Sequence, residues 1–541
     1  MPGKNGPVST EHSDLAAIGA GSGGRGEGGG KGEGIGALLE RRSSDPSPAL
    51  TEGASGRSLS WAGLAEAGRR FGATVGAGNL PALGRVGLCL ADPLEMASSY
   101  LAAVAAGLTV APLDPDTTLP ELLGACRRLG LSAVVGGPEP AEGWAPALER
   151  AGVATWATAG GGAALRALTP PGGAGEPGHG AALLLSSSGT TGRPKLVPLG
   201  EGQLLGTARS VVSCHRLGPG DRGYSPLPLS HINGLVVGVL AGLVGGYPLV
   251  LDRRFSASSF WEVVEREQVS WVNLVPAILA ILAARRPPPA EVARRVAFAR
   301  SASAPLPLRT LESFEAATGI PVVETYGMTE AASQITSNPR PPAKRRPGSV
   351  GRPVGVELRI VDRDRAPLPA GGIGEVEIRG DNVVGVYWEP AGSNPPERPA
   401  RSADGWLPTG DLGHLDADGY LYLVGRADDV INRGGEKLYP REVEEVLLGD
   451  ERVAAAAVVG RPHPSLGEEP VAYVLPREDP PVEPGALARD LDRRCVDLLS
   501  RFRRPAEIVI ASSLPQGPNG KVRRAELRRR LAGAAPQGTS G

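Results

Sequence analysis

The chain has 541 residues, of which 41% are hydrophobic, and its 57 Lys plus Arg nearly balance its 58 Asp plus Glu, leaving a net charge of -1. This length predicts two or more domains with sizeable buried cores. The balanced charge argues against the basic field of a nucleic-acid-binding or membrane-surface protein, so we expect neither partner.

Cysteine usage and hydropathy bear on compartment. The four cysteines form no CxxC pair, and the six histidines form no cluster with metal-ligand spacing. We therefore expect no disulfide framework and no zinc site, and a reduced, cytoplasmic location. The most apolar stretch, Leu235–Leu251, is interrupted by Gly245, Gly246 and Pro248. It predicts a buried helix followed by a strand, not a membrane span.

The first domain begins after a tail. Residues 1–36 are rich in Gly, Ser and charge, a composition typical of disorder. From 37 to 424, short apolar runs alternate with amphipathic helical patterns, which predicts an α/β fold with parallel sheets covered by helices. The predicted strands are Arg85–Leu90, Thr109–Leu113, Ser132–Val135, Ala181–Leu185, Pro248–Leu251, Val269–Val275, Arg295–Ala299 and Pro321–Glu324. Predicted helices include Leu119–Leu129, Ser258–Glu267 and Leu308–Thr318.

The later part of the chain changes character. Glu357–Asp362 and Gly374–Arg379 follow without long helices and predict a small antiparallel region, while Ala391–Ala400 is a Pro-rich loop. Residues 425–428 form the predicted boundary, after which 429–535 predict a small α+β domain and 536–541 a second disordered tail. Its predicted elements are helix Pro440–Leu448, strands Val453–Val459 and Pro470–Leu475, helix Pro484–Leu499 and strand Glu507–Ala511.

A glycine-rich polar loop follows the predicted strand Ala181–Leu185. It runs from Ser186 to Lys195 with the sequence SSSGTTGRPK. Glycines let backbone N–H groups approach a polyphosphate, hydroxyls donate further hydrogen bonds, and the lysine adds a positive charge. The alternative is a flexible surface loop. The GRPK ending departs from the Walker A pattern, which disfavours a P-loop NTPase.

Two further motifs carry side chains suited to a nucleotide. Glu324–Glu330, ETYGMTE, places an aromatic ring, a hydroxyl and a carboxylate after a strand, a set that suits a purine, phosphate and Mg²⁺. The same residues also fit a capped helix start. Trp406–Gly413, WLPTGDLG, contains Asp411, whose two acceptor oxygens match a vicinal diol. An aspartate in a glycine turn is, however, commonly structural.

The last two motifs lie at and beyond the predicted domain boundary. Gly425–Lys437, GRADDVINRGGEK, joins the two domains, and as a string it is more specific than a plain linker. Pro515–Arg524, PQGPNGKVRR, places Lys521 on a Pro/Gly-rich loop before a basic helix, where a lone lysine would ordinarily be a surface residue.

Together, the five motifs in this order resemble the adenylate-forming enzymes, which comprise acyl-CoA synthetases, luciferases and the adenylation domains of peptide synthetases. The resemblance covers about residues 55 to 530. It implies an AMP-forming acid–CoA ligase that uses ATP, Mg²⁺ and CoA on a small carboxylic acid. The acid attacks the ATP α-phosphate, and the CoA thiol then attacks the acyl-adenylate.

The resemblance also implies roles for particular residues. Contacts to nucleotide and CoA fall to Ser186, Ser187, Ser188, Gly189, Thr190, Thr191, Lys195, Ser303, Ala304, Glu324, Thr325, Tyr326, Gly327, Asp411, Arg426, Gly434, Gly435 and Lys437. Catalytic roles fall to Lys521, Glu330, Thr329 and His231, with Glu330 binding the metal. Asp428 is the hinge at which rotation withdraws Lys521 and presents the Gly434–Lys437 face.

Several strings resemble oxalate–CoA ligases and their peroxisomal relatives, which favours oxalate. They are Arg254–Trp261, Arg300–Leu306, Ser337–Pro339 and Pro347–Gly355. Gly192, Leu196 and Gly327 depart from that subgroup, which usually has Ser, Gly and Ala there. The acyl pocket is expected to draw on Pro228–Gly234, Ser301–Pro305 and Met328–Gln334.

Other functions are compatible with parts of the pattern. They are a medium- or long-chain or aromatic acyl-CoA synthetase, a stand-alone adenylation domain that loads a carrier protein, and a catalytically inactive binding protein. The presence of both Lys521 and Glu330 argues against the last of these.

Overall fold

The computed structural model describes residues 33–77, 84–159, 165–169, 179–187, 195–477, 482–516 and 522–533. The helices in these segments are α1 (Ile35–Glu40), α2 (Trp61–Ala77), α3 (Pro93–Ala105), α4 (Leu119–Leu129), α5 (Pro138–Arg150), α6 (Glu201–His215), α7 (Ala241–Gly245), α8 (Phe260–Arg266), α9 (Pro276–Ala283), α10 (Ala290–Arg295), α11 (Leu308–Thr318), α12 (Pro440–Leu448), α13 (Pro484–Leu498) and α14 (Arg524–Gly533).

The strands of the larger, N-terminal part are β1 (Pro48–Glu52), β2 (Ser58–Ser60), β3 (Arg85–Cys89), β4 (Thr109–Pro112), β5 (Ala133–Gly136), β6 (Ala154–Thr158), β7 (Leu165–Ala167), β8 (Ala181–Ser187), β9 (Lys195–Gly200), β10 (Gly223–Ser225), β11 (Leu249–Leu251), β12 (Trp271–Leu274), β13 (Phe298–Ser301), β14 (Val322–Tyr326), β15 (Thr336–Ser337), β16 (Arg352–Pro353), β17 (Glu357–Val361), β18 (Gly374–Arg379), β19 (Val386–Trp388), β20 (Glu397–Pro399), β21 (Leu407–Leu415) and β22 (Leu421–Arg426). Those of the C-terminal part are β23 (Ile431–Arg433), β24 (Glu436–Leu438), β25 (Val453–His463), β26 (Gly467–Pro476) and β27 (Glu507–Ile510).

Two large sheets organise the N-terminal part. The first has the order β16-β15-β14-β13-β12-β10-β11-β1-β2, and the second β20-β19-β9-β8-β4-β3-β5-β6-β7. Pairing is parallel from β14 to β1 in the first sheet and from β8 to β6 in the second. The predicted α/β class with parallel sheets is therefore confirmed.

Both sheets contribute to one apolar core. Leu50 and Leu249 of the first sheet share a buried cluster with Leu88 and Val110 of the second and with Leu101 of α3. Burial of such side chains is worth about 1.5–3 kcal/mol each. The core fixes the two sheets, and hence the strand ends that carry the candidate site.

Two smaller sheets follow. The antiparallel sheet β17-β18-β21-β22 confirms the predicted antiparallel region. The C-terminal sheet β24-β23-β26-β25, extended by β27 on β26, packs α12 and α13 around its own core. The chain changes sheet between Arg426 and Ile431, close to the predicted boundary at 425–428.

Local signals explain why some helices match the prediction to the residue. At the start of α4, the Thr118 backbone N–H donates to Glu121 Oε2 at 2.9 Å, a capping-box contact. The helix ends at Gly130, whose φ of 63° lies in the left-handed region that glycine tolerates. α11 and α12 also have their predicted bounds.

Three predictions were wrong in detail. Ile35 is fully buried in α1, so helix begins inside the segment expected to be a tail. Arg295 ends α10, and the strand expected from Arg295 begins at Phe298. The loop Ala391–Ala400 contains β20, which pairs with β19 because neighbouring backbone supplies its hydrogen bonds. The first and third outcomes depend on tertiary contacts, namely the burial of Ile35 and the pairing of β20 with β19.

The apolar stretch Leu235–Leu251 folds within the core. It forms most of a π-helix, Asn233–Leu240, then α7 and β11, as the helix-then-strand prediction expects. In the part of the chain that the structure describes, no helix has the length and apolarity needed to cross a membrane.

Candidate active site

Tyr326 ends β14 at the carboxyl edge of the first sheet. Its hydroxyl donates to Asp411 Oδ2 at 2.5 Å, although 85 positions separate the two residues. Burial, followed by the charge of Asp411, holds the pKa of Tyr326 well above its usual range. The phenol therefore keeps its proton and remains a donor beside the carboxylate.

Asp411 and Arg426 face each other across the antiparallel pair β21–β22. Arg426 Nη1 donates to Asp411 Oδ1 at 3.0 Å. Gly410 has a φ of 73°, a left-handed conformation that favours glycine, and leads the chain into this position. One Asp411 oxygen thus serves Tyr326 and the other Arg426, and each oxygen can accept a further hydrogen bond.

Glu330 lies in a 3-10 turn, Thr329–Ala331, and is 5% exposed. The Tyr387 hydroxyl donates to Glu330 Oε1 at 3.4 Å, and Lys195 Nζ stands 5.0 Å from the centre of the Tyr387 ring. The ring therefore links the described end of the glycine-rich loop to Glu330. Sequence reasoning missed Tyr387, because nothing in its local sequence marks it.

Glu324 and Thr325 are buried and stabilise the edge of the first sheet. Glu324 accepts a hydrogen bond from the Gly348 backbone N–H at 2.9 Å, and burial raises its pKa to about 7. The Thr325 hydroxyl donates to the Ser301 carbonyl on β13 at 3.2 Å. Both side chains have structural partners in addition to any contact with a nucleotide.

The neighbouring loops shape the expected acyl side. A Cβ built on Gly327 would overlap the Ser333 carbonyl oxygen, which explains why this chain has glycine at that position. Ser303 has a φ of 74°, which is uncommon for a residue with a side chain. Asn233 Nδ2 donates to Ser303 Oγ at 3.2 Å, and half-buried His231 lies two positions before Asn233.

In the C-terminal part, Gly434 and Gly435 form the turn of the β23–β24 hairpin. Their φ values of 62° and 89° match a two-residue turn with positive φ at both central positions. The hairpin itself therefore requires both glycines, whatever their relation to CoA. Lys437 lies exposed on β24.

The predicted hinge is held by the last helix. Asp428 belongs to the 3-10 turn Ala427–Asp429, between β22 and β23. Arg528 of α14 donates to the Asp428 carbonyl at 3.2 Å and to Asp429 Oδ1 at 2.7 Å. The helix that follows the Lys521 motif is thus tied to the segment expected to rotate.

The predicted site residues differ in how exposed they are. The half-buried members are Lys195, His231, Ser303, Ala304, Tyr326, Gly327, Thr329, Asp411 and Arg426. The exposed members are Ser186, Asp428, Gly434, Gly435 and Lys437. Ser187 ends β8 opposite Lys195. Five predicted residues lie outside the described segments, namely Ser188, Gly189, Thr190, Thr191 and Lys521.

Two known family descriptions match separate parts of the chain. Residues 41–388 match the family described as AMP-binding enzyme, and residues 442–521 match the AMP-binding enzyme C-terminal domain. The chain belongs to the AMP-binding enzyme family. The family matches cover Tyr326 and Glu330 in the first segment and Lys521 in the second.

The curated relatives that align with the chain include two CoA ligases that are named for small acids. The chain is 45% identical to sulfoacetate–CoA ligase of Cupriavidus necator over 346 residues, which cover 64% of this chain and 66% of the relative. It is 39% identical to oxalate–CoA ligase of Arabidopsis thaliana over 347 residues, 63% of this chain and 66% of the relative. These alignments span slightly less than two-thirds of each relative.

Solved structures of the family align over nearly the whole chain. ATP-bound MatB from Rhodopseudomonas palustris superposes with a TM-score of 0.81 at 28% identity, covering 92% of this chain and 98% of that one. The o-succinylbenzoate CoA synthetase of Bacillus subtilis, in complex with ATP and magnesium, gives a TM-score of 0.75 at 28% identity with the same coverage.

Proposed function

We propose that the chain is an AMP-forming ligase that joins a small carboxylic acid, such as oxalate, to CoA through an acyl-adenylate. The observation that carries this proposal is the convergence of Tyr326, Asp411 and Arg426 from two sheets. A half-buried aromatic ring beside an acceptor carboxylate suits a nucleoside, with the ring against the purine and the carboxylate on the ribose diol.

Glu330 suits a magnesium ion that is shared with ATP. Mg²⁺ in such enzymes is usually held by one or two carboxylates together with substrate phosphates. Within the described segments, no three His, Cys, Asp or Glu side chains cluster as in a cage made of protein ligands alone. A single buried carboxylate, preceded in the chain by the hydroxyl residue Thr329, fits the first arrangement, and the ion would neutralise phosphate charge when bound.

The reaction proceeds by two displacements. A carboxylate oxygen of the acid attacks the ATP α-phosphorus, a new O–P bond forms, and pyrophosphate leaves with the electrons of the broken bond. Lys195 and Lys521 would stabilise the growing negative charge. The CoA thiol then attacks the acyl carbon and loses its proton, and AMP leaves with the oxygen that came from the acid.

The two domains, 37–424 and 429–535, would rotate relative to each other at Asp428 between the two steps. The change of sheet between β22 and β23 supports this boundary, since few backbone hydrogen bonds would have to break there. Rotation would exchange Lys521 for the Gly434–Lys437 face after pyrophosphate leaves. His231 and Ser303 would lie beside the acyl group.

The relatives favour a short acid. The curated proteins with 45% and 39% identity act by name on sulfoacetate and oxalate, whereas an indoleacetate–CoA ligase is 34% identical. A 2-succinylbenzoate–CoA ligase is also 34% identical, so aromatic acids remain the second candidate class.

Pyrophosphate release tests the proposal directly. Purified protein with ATP and Mg²⁺ is screened with oxalate, sulfoacetate, malonate, acetate, benzoates and fatty acids, and acyl-CoA is detected by mass spectrometry. We expect release with a short acid and loss of release in Asp411→Ala. Preference for long-chain acids with no response to the short acids would refute the small-acid proposal. Acylation of a supplied carrier protein in place of CoA would refute CoA as the thiol acceptor.

A further inference from the structure

Arg300 is a buried arginine whose hydrogen-bond partners are amides. It lies on β13 and is 1% exposed. Its Nη1 donates to Asn233 Oδ1 at 3.2 Å and to Asn273 Oδ1 at 3.1 Å, and its Nη2 donates to Gln334 Oε1 at 3.2 Å. We call these four residues the Arg300 cluster.

The positive charge of the Arg300 cluster has no acidic counterpart among the described residues. Arg345, by comparison, pairs with Glu315, and Arg524 pairs with Glu444 at 2.6 Å. Burial lowers the pKa of Arg300 to about 10, so the guanidinium is still cationic at neutral pH.

A buried charge without a counter-charge costs several kcal/mol of stability, so a purely structural role for this arrangement would destabilise the fold. Arg300 Nε, moreover, has no hydrogen-bond partner in the described structure. An anion bound beside the cluster would supply the missing counter-charge.

The hydrogen bonds of the Arg300 cluster continue to Ser303, on the expected acyl side of the candidate site. Asn233 Oδ1 accepts from Arg300 and also from Asn273 Nδ2 at 3.2 Å, so its amide orientation is fixed. The Asn233 NH₂ group consequently points the other way and donates to Ser303 Oγ. Ser303 is half-buried, and it belongs to the loop after β13 that is expected to contribute to the acyl pocket.

We propose that the Arg300 cluster recognises the second acidic group of a short acid that carries two, with Asn233 donating to that group and Arg300 supplying the counter-charge. This inference rests on the proposed ligase function and narrows its substrate class. The reacting carboxylate must face the ATP phosphates, so a cation at the far end selects acids with a second anion.

Rejection of other acids follows from the same geometry. A neutral alkyl chain would have to desolvate amides and a charge without replacing their hydrogen bonds. Sites built to hydrogen-bond a substrate reject analogues that lack the group by roughly 10⁴-fold or more. A carboxylate and a sulfonate offer the same acceptor chemistry, and comparison of malonate with sulfoacetate distinguishes them.

The decisive variant is Asn233→Asp. Its new carboxylate would pair with Arg300, so the protein should fold at least as well as wild type, yet it would neutralise the cation and repel a second anion. We expect kcat/KM for oxalate, malonate or sulfoacetate, whichever is best, to fall by about 100-fold. The value for acetate or propionate should fall much less, so the ratio between the two acid classes should drop by at least about 10-fold. Arg300→Met should shift the ratio in the same direction.

Arg85→Met is the matched control, because it removes another buried guanidinium, one that donates to the Leu129 carbonyl at 2.9 Å. It should leave the ratio between the two acid classes unchanged. Equal losses for both acid classes in Asn233→Asp, or unchanged discrimination, would overturn the inference.

Calorimetric binding of the acids to the protein with AMP separates the inference from the ligase proposal, because it needs no turnover. Wild type should bind the best doubly acidic compound at least about 10-fold more tightly than acetate, a difference of about 1.4 kcal/mol, and Asn233→Asp should remove that preference. Equal affinity of wild type for both classes would overturn the inference. Selective binding without pyrophosphate release would support the inference and refute the ligase proposal.

Discussion

Tyr326 and Asp411 come from different sheets and meet at 2.5 Å through a hydroxyl–carboxylate hydrogen bond. Arg426 completes the group by pairing with the other Asp411 oxygen. The carboxylate is thus oriented by two donors, which would reduce the ordering required if it binds the ribose as proposed.

Asp411→Asn should weaken nucleotide use more than it weakens the fold. The amide keeps an acceptor but loses the charge that pairs with Arg426, and one of its two ends becomes a donor. We expect KM for ATP to rise by roughly 10-fold or more, a loss of about 1.4 kcal/mol, with a melting temperature close to that of wild type. Steady-state kinetics over ATP concentration measure this, and an unchanged KM would contradict the assignment of Asp411 to the ribose.

Tyr387 should matter through its ring more than through its hydroxyl. The hydroxyl contact to Glu330 is long, at 3.4 Å, whereas the ring lies 5.0 Å from Lys195 Nζ. Tyr387→Phe should therefore stay within about 3-fold of wild type in pyrophosphate release, and Tyr387→Ala should lose roughly 10-fold. Equal losses in the two variants would assign the effect to the hydroxyl's hydrogen bond, because alanine removes the hydroxyl as well as the ring.

Glu324 should make the fold less stable as the pH rises. Its folded pKa is about 7 against 4.5 for the unconstrained group. Between these values the folded protein keeps a proton that the unfolded chain has lost, so stability falls from about pH 4.5 to 7 and is then level. Glu324→Gln, which can still accept from Gly348 N–H, should remove a cost on the order of 3 kcal/mol at pH 8 and almost none at pH 4.

Denaturant unfolding at pH 4, 6 and 8 measures the Glu324 effect. The exposed carboxylate of Glu139 supplies a control, as Glu139→Gln, that should show no such trend. A Glu324→Gln advantage that does not grow between pH 4 and pH 8 would contradict the prediction.

Lys521→Ala should separate the two half-reactions. The lysine is proposed to act on the α-phosphate only, so adenylate formation should fall by at least about 100-fold while thioester formation from supplied acyl-adenylate stays within about 3-fold. Pyrophosphate release and CoA consumption are followed separately. Equal loss in both assays would mean that Lys521 acts in neither step specifically or only maintains the fold.

The sequence could predict features whose causes are local. Capping residues at Thr118 and Glu121 and the glycine after α4 set that helix without reference to the rest of the chain. Alternating apolar runs likewise indicated the parallel sheets. The nucleotide roles proposed for Tyr326 and Asp411 come from the resemblance, whereas their direct contact is a result of how the sheets pack.

Long-range features could not be predicted in this way. Tyr387 and Arg300 owe their contacts to strands far away in sequence. Tyr387 carries no local pattern, and the resemblance of Arg300–Leu306 to oxalate–CoA ligases does not show that Arg300 is buried among amides. Gln334 and Asn233 fall within the ranges expected to form the acyl pocket, but the charge that orients Asn233 lies outside those ranges. Burial of an arginine among amides is visible only once β12, β13 and the π-helix are packed.

Oxygen transfer from the acid to AMP tests the central proposal most directly. The protein is incubated with ATP, Mg²⁺, CoA and its best acid, labelled with ¹⁸O in the carboxylate. The masses of the products are then measured by mass spectrometry. An acyl-adenylate intermediate requires one labelled oxygen in the AMP phosphate, with AMP, pyrophosphate and acyl-CoA formed in equal amounts. Unlabelled AMP, or ADP with inorganic phosphate in its place, would contradict the account.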